Sequence, residues 1–463
     1  MIQDRRATVV LDIGKTNAKL TLISPDGVTL AEQRRPNIIL HDAPYPHHDT
    51  EGIWSWMLDT LRAYAAQAPI GAIVPVTHGA TAALIDDDGL VLPVLDYEFE
   101  LPADHVERYG RLRPAYVNSH SPRLPAGLNL GSQLVWQAMA FPAEFAKARH
   151  ILMYPQYWAW RLCGVAASEV TSLGCHTDLW QPARQRYSAL VERMGWYKLF
   201  PALQPAWQPL GTLKGALAAQ TGLPADCQVL CGIHDSNASL LRHLGGTEAP
   251  AVLSTGTWVI AAAPGKPLDS LREEADMLAN CSAFGEPVAC MRFMGGREFG
   301  AIAGDASVAC SEADLAKIVL QGTFAVPAFA AAGPFARHAG GLVGPEPADA
   351  AERYALATLY EALMCDYCLS ALGVDGAVVV EGAFTGNPHF ARLLAALRAP
   401  GGSVGGVGRG AVMATDDTSG TTCGGWLLHR RDGNPQLQGH VAQPLQLAGL
   451  EGYRQRWLEL TAG

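Results

Sequence analysis

Two short glycine turns, each behind an apolar run of β type, constrain this chain more than any other feature. The first reads Val9-Val10-Leu11-Asp12-Ile13-Gly14-Lys15-Thr16-Asn17-Ala18-Lys19-Leu20. The second, some half a chain later, reads Val252-Leu253-Ser254-Thr255-Gly256-Thr257-Trp258-Val259-Ile260. Each predicts strand, tight turn, strand, with hydroxyl or amide side chains crowding the turn. Such a hairpin points backbone N–H groups and small donors at one spot, which suits phosphate oxygens. Two of them on two domains would grip one triphosphate from opposite sides.

At 463 residues the chain is too long for one core and predicts two or three domains. A hydrophobic content of 49% against 17% charged residues describes a well-buried protein and excludes a disordered one. The net charge of -10 and the lack of Lys/Arg clusters argue against nucleic acid. No signal peptide and no apolar stretch of about 20 residues is visible, so a cytoplasmic protein without a membrane span is expected. Among ten scattered cysteines only Cys227/Cys231 and Cys365/Cys368 are close, and they read as free thiols rather than a zinc site.

Patterning predicts a hairpin over Thr8–Asn17 and Ala18–Ser24, a helix over 53–66, and an apolar strand over 72–77. After His78-Gly79, residues 82–85 read as a second hairpin strand, and about 133–163 as helical. Gln228–Gly232 is an apolar strand ending at His234-Asp235, and 244–248 reads as a hinge. The second half repeats the plan, with a long helix over 351–372, a buried strand over 377–380 and a terminal helix. Similar opening units in two halves suggest an internal duplication.

Gly14-Lys15-Thr16 invites a Walker reading, but that motif needs a glycine where Val9 stands, and the turn leads into a strand. Gly406-Val407-Gly408-Arg409-Gly410-Ala411 fits a loose dinucleotide pattern without an acidic residue in the right context; a surface loop is preferred. Asp12, at a buried strand end beside a phosphate-type turn, is tolerable chiefly if a cation neutralises it, with Mg²⁺ the natural candidate. Asp235 ends another apolar strand, where a carboxylate serves as general base to an attacking hydroxyl. The same residue suits a helix N-cap, and the two roles are compatible. His78-Gly79, at a third strand end, is in reach of a polyol.

Taken in order, these residues resemble the FGGY-type carbohydrate kinases of the actin/Hsp70/hexokinase ATPase superfamily, from about Thr8 to Cys423. Asp12-Ile13-Gly14 through Lys19 is similar to the first phosphate motif, with Lys15 where Thr or Ser is usual. Ser254-Thr255-Gly256-Thr257 is similar to the second. Gly232 to Asp235 resembles the GxxD motif, which implies Asp235 as catalytic base. Trp136, the 154–164 helix and Ser168-Glu169-Val170-Thr171-Ser172 resemble the conserved stretch between them. Gly382-Ala383-Phe384-Thr385-Gly386-Asn387 resembles the adenosine motif in weakened form, and Gly420 falls at another adenine-side glycine. His234-Asp235 and the Ser-x-Gly-Thr-Trp turn look most like the rhamnulokinase and fuculokinase branch, whereas His78-Gly79 is similar to xylulokinases. Residues 94–100 lie where relatives carry a sugar-contacting Arg, which is absent here.

The resemblance implies an α/β, two-domain actin-like ATPase fold of duplicated ribonuclease H-like domains with an interdomain cleft. Residues 1–245 would bind sugar and phosphate and carry the base; residues 246–463 would bind ATP. It implies ATP contacts from Gly14, Lys15, Thr16, Asn17, Ser254, Gly256, Thr257, Gly382, Phe384, Asn387 and Gly420. Sugar contacts would come from His78, Gly79, His234 and Asp235, with Mg²⁺ placed by Asp12 and Asp235. The implied activity is phosphorylation of a ketose hydroxyl, such as that of L-rhamnulose or L-fuculose, by ATP. The implied partners are the sugar and ATP, without nucleic acid or membrane, and a homodimer is left open. Two rivals share parts of this pattern: an actin- or Hsp70-like conformational ATPase, and a catalytically inactive sugar sensor.

Overall fold

The structure is a computed structural model that describes residues 5–246, 248–304, 308–399, 410–415, 417–433 and 439–462. The glycine-rich run from Gly401 lies outside the described residues except for Gly410, and so does most of the Gly406–Ala411 match. Thr247, within the expected hinge, is outside them too. By packing, the chain divides into two units. The first holds Met1–Gly245, Ala279–Pro287 and Ser419–Pro435; the second holds Gly246–Leu278, Val288–Thr418 and Gln436–Gly463.

In the first unit, strand Ala7–Ile13 alternates its side chains between two cores, as a strand buried on both faces must. Val9, Leu11 and Ile13 pack with Ile53, Met57, Leu61 and Trp158. Val10 faces the other way, with Ala238, Trp426 and Leu428. Its sheet runs in the order Pro209–Thr212, Gln228–Leu230, Ile70–Thr77, Ala7–Ile13, Asn17–Ile23, Thr29–Pro36. The last three form an antiparallel meander; Ala7–Ile13, Ile70–Thr77 and Gln228–Leu230 are parallel. Ile233–His234 continues alongside Ile70–Thr77.

The second unit repeats this order. Strands Ala251–Thr255, Val259–Pro264 and Pro287–Phe293 form the meander. Ala251–Thr255 then pairs in parallel with Val378–Gly382, which pairs in parallel with Val412–Thr415. An antiparallel strand, His440–Val441, follows at that edge, where Pro209–Thr212 stands in the first unit. The long helix Ala350–Ala371 is largely buried. The duplication suggested by the two turns therefore extends to whole sheets.

Two local expectations are corrected. Residues 133–163 are not one helical region: helices Leu130–Ala140 and Tyr154–Cys163 flank strand His150–Met153. That strand pairs with Ala82–Ile85, so the latter is no hairpin partner of Ile70–Thr77. The reason is that Ile70–Thr77 already has a parallel neighbour on each edge. Among the described residues no helix is long and apolar enough to cross a membrane.

Candidate active site

Parallel pairing brings three loops of the first unit to one end of the sheet. Ile13 lies opposite Thr77, and Thr77 opposite His234, so the turn at Gly14, residue His78 and residue Asp235 all leave from carboxyl ends of neighbouring strands. That edge is where open α/β sheets bind ligands. His78 N–H donates to the Ile13 carbonyl at 2.9 Å, which ties two of the loops together.

The first turn is closed by Gly14 N–H donating to the Asn17 carbonyl at 2.9 Å. Asn37 occupies the turn from behind: its side-chain amide donates to the Gly14 carbonyl at 2.8 Å, and its N–H to the Thr16 carbonyl at 2.9 Å. With those carbonyls spent, the turn offers its N–H side and the exposed Thr16 and Asn17 side chains to a ligand. Lys15 is committed otherwise. Its ammonium pairs with Asp96 and, at 3.2 Å, with Glu98, and sits 4.9 Å from the centre of the Tyr97 ring. Asp12 stands opposite Lys19 in the hairpin, 3.3 Å from its ammonium. Burial pushes the Asp12 carboxyl up to about 6 despite Lys19, and Asp235 adds to the rise.

Asp235 opens helix Asp235–Leu241, and its Oδ1 accepts from the Ser236 N–H at 2.6 Å. His234 Nε2 lies 3.1 Å from the same Oδ1. Asn237 donates its amide N–H to His234 Nδ1 at 3.0 Å, which leaves the ring proton on Nε2, facing the carboxylate. Burial keeps the His234 imidazole neutral, with a pKa lowered to about 4. The Asp235 side chain stays 29% exposed, and its carboxyl is raised by burial and drawn back by His78 and Ser236.

Two glycines make this geometry possible. A Cβ at Gly79 would come 2.8 Å from His234 Nε2, so Gly79 makes room for that ring. Gly232 has φ +88°, and a Cβ there would meet the Pro75 carbonyl at 2.5 Å.

Residues to which the sequence assigned no role at the site complete the surroundings. Thr171 Oγ1 accepts from the His234 N–H at 3.0 Å and donates to Glu169 Oε2 at 2.6 Å, so a buried carboxyl positions the strand just before Asp235. Burial lifts Glu169 to about 7. His48 packs 5.1 Å from His78 and 5.5 Å from Tyr154, ring centre to ring centre. Both nitrogens of His48 and Nε2 of His78 are buried without a hydrogen-bond partner. Each such atom costs about 1–3 kcal/mol if nothing meets it.

In the second unit, Thr255 Oγ1 donates to the Glu381 carbonyl at 2.7 Å and accepts from the Phe384 N–H at 3.0 Å. This draws the 254–257 turn against the end of strand Val378–Gly382. Gly382 is required there: its φ is +94°, and a Cβ would lie 2.1 Å from the Thr255 carbonyl. Ser254, Thr257 and Gly382 are exposed along this edge, with Gly256 half-buried between them. Gly296 N–H donates to the Gly256 carbonyl at 3.1 Å, again securing a turn from its carbonyl side. Asn387 is spent internally, donating to Thr358 Oγ1 at 2.9 Å and accepting from the His389 N–H at 3.0 Å. Phe384 is buried against Phe299 and Phe390. These two residues shape the 382–387 turn. Gly420 lies in the first unit, where a Cβ would come 2.9 Å from Ser239 Oγ of helix Asp235–Leu241.

Solved structures share this architecture. The chain is similar to a carbohydrate kinase from Novosphingobium aromaticivorans (37% identity, TM-score 0.90, 98% of this chain and 100% of that one). It also matches a xylulose kinase from Rhodospirillum rubrum in fold, with 16% identity, TM-score 0.78, and 99% and 98% coverage. The fold is thus the α/β, two-domain actin-like one. Residues 7–242 match the N-terminal domain of the FGGY family of carbohydrate kinases, and residues 247–438 match the carbohydrate kinase FGGY C-terminal domain. The chain belongs to the FGGY family of carbohydrate kinases. An L-fuculokinase from Escherichia coli (strain K12) is 27% identical over 267 residues, 54% of this chain. That match spans 55%, about half, of the relative's own length.

Proposed function

We propose that the protein is an ATP-dependent kinase that phosphorylates a hydroxyl of a ketose, with Asp235 as general base. The observation that carries this reading is the carboxylate of Asp235. It is partly exposed at the shared strand end, has one oxygen held by His234 and Ser236, and interacts with His78, whose Nε2 is buried without a partner. A ketose bound there places a hydroxyl for Asp235 to orient and deprotonate as it attacks the γ-phosphorus. Catalysis is then mainly positioning and charge neutralisation, as phosphoryl transfer requires.

In this reading His78 and His234 serve the sugar, directly or through Asp235. N–H groups of the 14–17 turn other than that of Gly14, and those of the 254–257 turn, take phosphate oxygens, and residues 382–387 serve the adenosine. Sugar binding and base catalysis belong to residues 1–245 and nucleotide binding to 246–463, with Gly420 supporting the helix that carries Asp235. A divalent cation fits Asp12 and Asp235, because burial first, and then the Asp235 carboxylate, raise Asp12 against the pull of Lys19. Among the described residues no group of three or more His, Cys, Asp or Glu could hold a metal. The cation would therefore share ATP phosphates and waters, as Mg²⁺ does. It would supply charge neutralisation at the phosphates. The similarity to L-fuculokinase supports L-fuculose or a related ketose as the acceptor.

The test is ADP release from MgATP with a panel of L-fuculose, L-rhamnulose, xylulose, ribulose, erythrulose and glycerol. Turnover with one acceptor, lost in Asp235→Asn, is expected. Hydrolysis that ignores every acceptor would instead support a conformational ATPase.

A further inference from the structure

Lys15 sits in a phosphate-type turn, yet its ammonium belongs to a different neighbourhood. It is held by Asp96 and Glu98 beside the Tyr97 ring, and the Tyr97 ring packs 5.4 Å from His78. His78 in turn packs on His48 and Tyr154. Backbone bonds join these segments: His48 N–H donates to the Val94 carbonyl, and Asp96 N–H to the Pro46 carbonyl. Lys15, Tyr97, His78, His48 and Tyr154 thus form one continuous wall in the first unit.

The chemistry of that wall is specific. His78 Nδ1 lies 2.9 Å from the Gly79 carbonyl, so Nδ1 carries the proton and Nε2 is a bare acceptor. His48 is neutral, disfavoured as a cation by burial first and then by His78 and Lys15, so it offers one donor and one acceptor. Two acceptors and one donor, all buried and unmatched, suit neighbouring hydroxyls, each of which both donates and accepts. The charge is also informative. One ammonium between two carboxylates leaves no surplus positive charge for an acid sugar.

We propose that Lys15 and His48 are specificity-determining residues of the acceptor site, which recognises adjacent hydroxyls of a neutral polyol, and that Lys15 is not a phosphate ligand. Lys15 is anchored by Asp96 and Glu98 and directs its remaining N–H to a sugar oxygen; His48 and His78 bind neighbouring hydroxyls. This deepens the kinase reading and rests on it.

The test is calorimetry on the full chain with L-fuculose, L-rhamnulose and D-xylulose as neutral probes, D-gluconate as the anionic one and MgADP as the nucleotide. Lys15→Thr and His48→Phe are each expected to weaken the tightest ketose at least tenfold and to leave MgADP within twofold. Gluconate is expected not to bind. Because Lys15→Thr strips a recessed Asp96 of its cation, Lys15→Arg is the second variant. It keeps the charge and the fold, checked by thermal unfolding, and is expected to weaken the same ketose while sparing MgADP. Weaker MgADP with an unchanged ketose would overturn the proposal by making Lys15 a phosphate ligand. So would ketose binding unmoved in all three variants, or tight gluconate binding. If the wild type shows ketose-dependent turnover in such a case, only this inference falls. If it binds no ketose and turns over ATP alone, the kinase reading falls with it.

Discussion

Asp235 does its proposed work from the first position of a helix, where the Ser236 N–H and the His234 imidazole both stabilise its charge while burial opposes it. Removing the carboxylate as Asp235→Asn keeps the shape and the Ser236 bond, so kcat is expected to fall about 10²–10⁴-fold with ketose affinity nearly unchanged. Steady-state kinetics checks that split. The pH dependence follows from the same groups. Asp12 is raised to about 6 and Asp235 is raised as well, and the proposed mechanism needs both as anions. The rate is therefore expected to rise with pH through about 6 and then level, and Asp12→Asn should alter the acid limb. Little of this was legible in advance. Asp235 stood out because strand, glycine and His-Asp are adjacent in sequence. His48 did not, since only folding sets it beside His78 and Tyr154. Lys15 read as a phosphate ligand because it lies in a phosphate-type turn, and only the structure shows its ammonium on Asp96 and Glu98.

Elements hold Asp235 through close approach as well as through hydrogen bonds. Helix Gly420–His429 packs on helix Asp235–Leu241, and a Cβ at Gly424 would lie 1.9 Å from the Ala238 carbonyl. Gly424→Ala is expected to destabilise by about 1–3 kcal/mol or more and to lower kcat by shifting the helix that begins with Asp235. Gly300→Ala is the contrast. It lies within helix Gly295–Ala303 with nothing within 4 Å of the added carbon, and is expected to stabilise by about 0.5–1 kcal/mol. Denaturant unfolding of both variants checks the pair. Glu169 gives a second prediction. Its carboxyl binds a proton more tightly folded, at about 7, than at the ordinary 4.5. Its contribution is therefore full below about 4.5 and lost as pH rises through 7, by ~3 kcal/mol at about 1.4 kcal/mol per pH unit. Glu169→Gln should flatten the pH dependence of stability across that window. The hairpins were readable because their pairing is local. Strand His150–Met153 was not, because its partner Ala82–Ile85 lies far back in the chain and its apolar run continues into a helix.

For the whole molecule, the repeated sheet order gives each unit a phosphate-type turn at the same place, before the second strand of a meander. The duplication was visible in the sequence only at those turns, since burial can keep a strand order with very different side chains. The short segments Ala279–Pro287 and Ser419–Pro435, which join the first unit from later in the chain, carry no local signal of where they pack. Excess chelator is expected to abolish ATP turnover and Mg²⁺ to restore it. The central claim is phosphoryl transfer from ATP to a sugar hydroxyl under the control of Asp235. Phosphorus NMR of MgATP with the ketose panel, for wild type and Asp235→Asn, tests it most directly. A sugar monophosphate formed in step with ADP, and absent with Asp235→Asn, is the predicted result. Inorganic phosphate as the sole product, at the same rate with or without ketose, would contradict it.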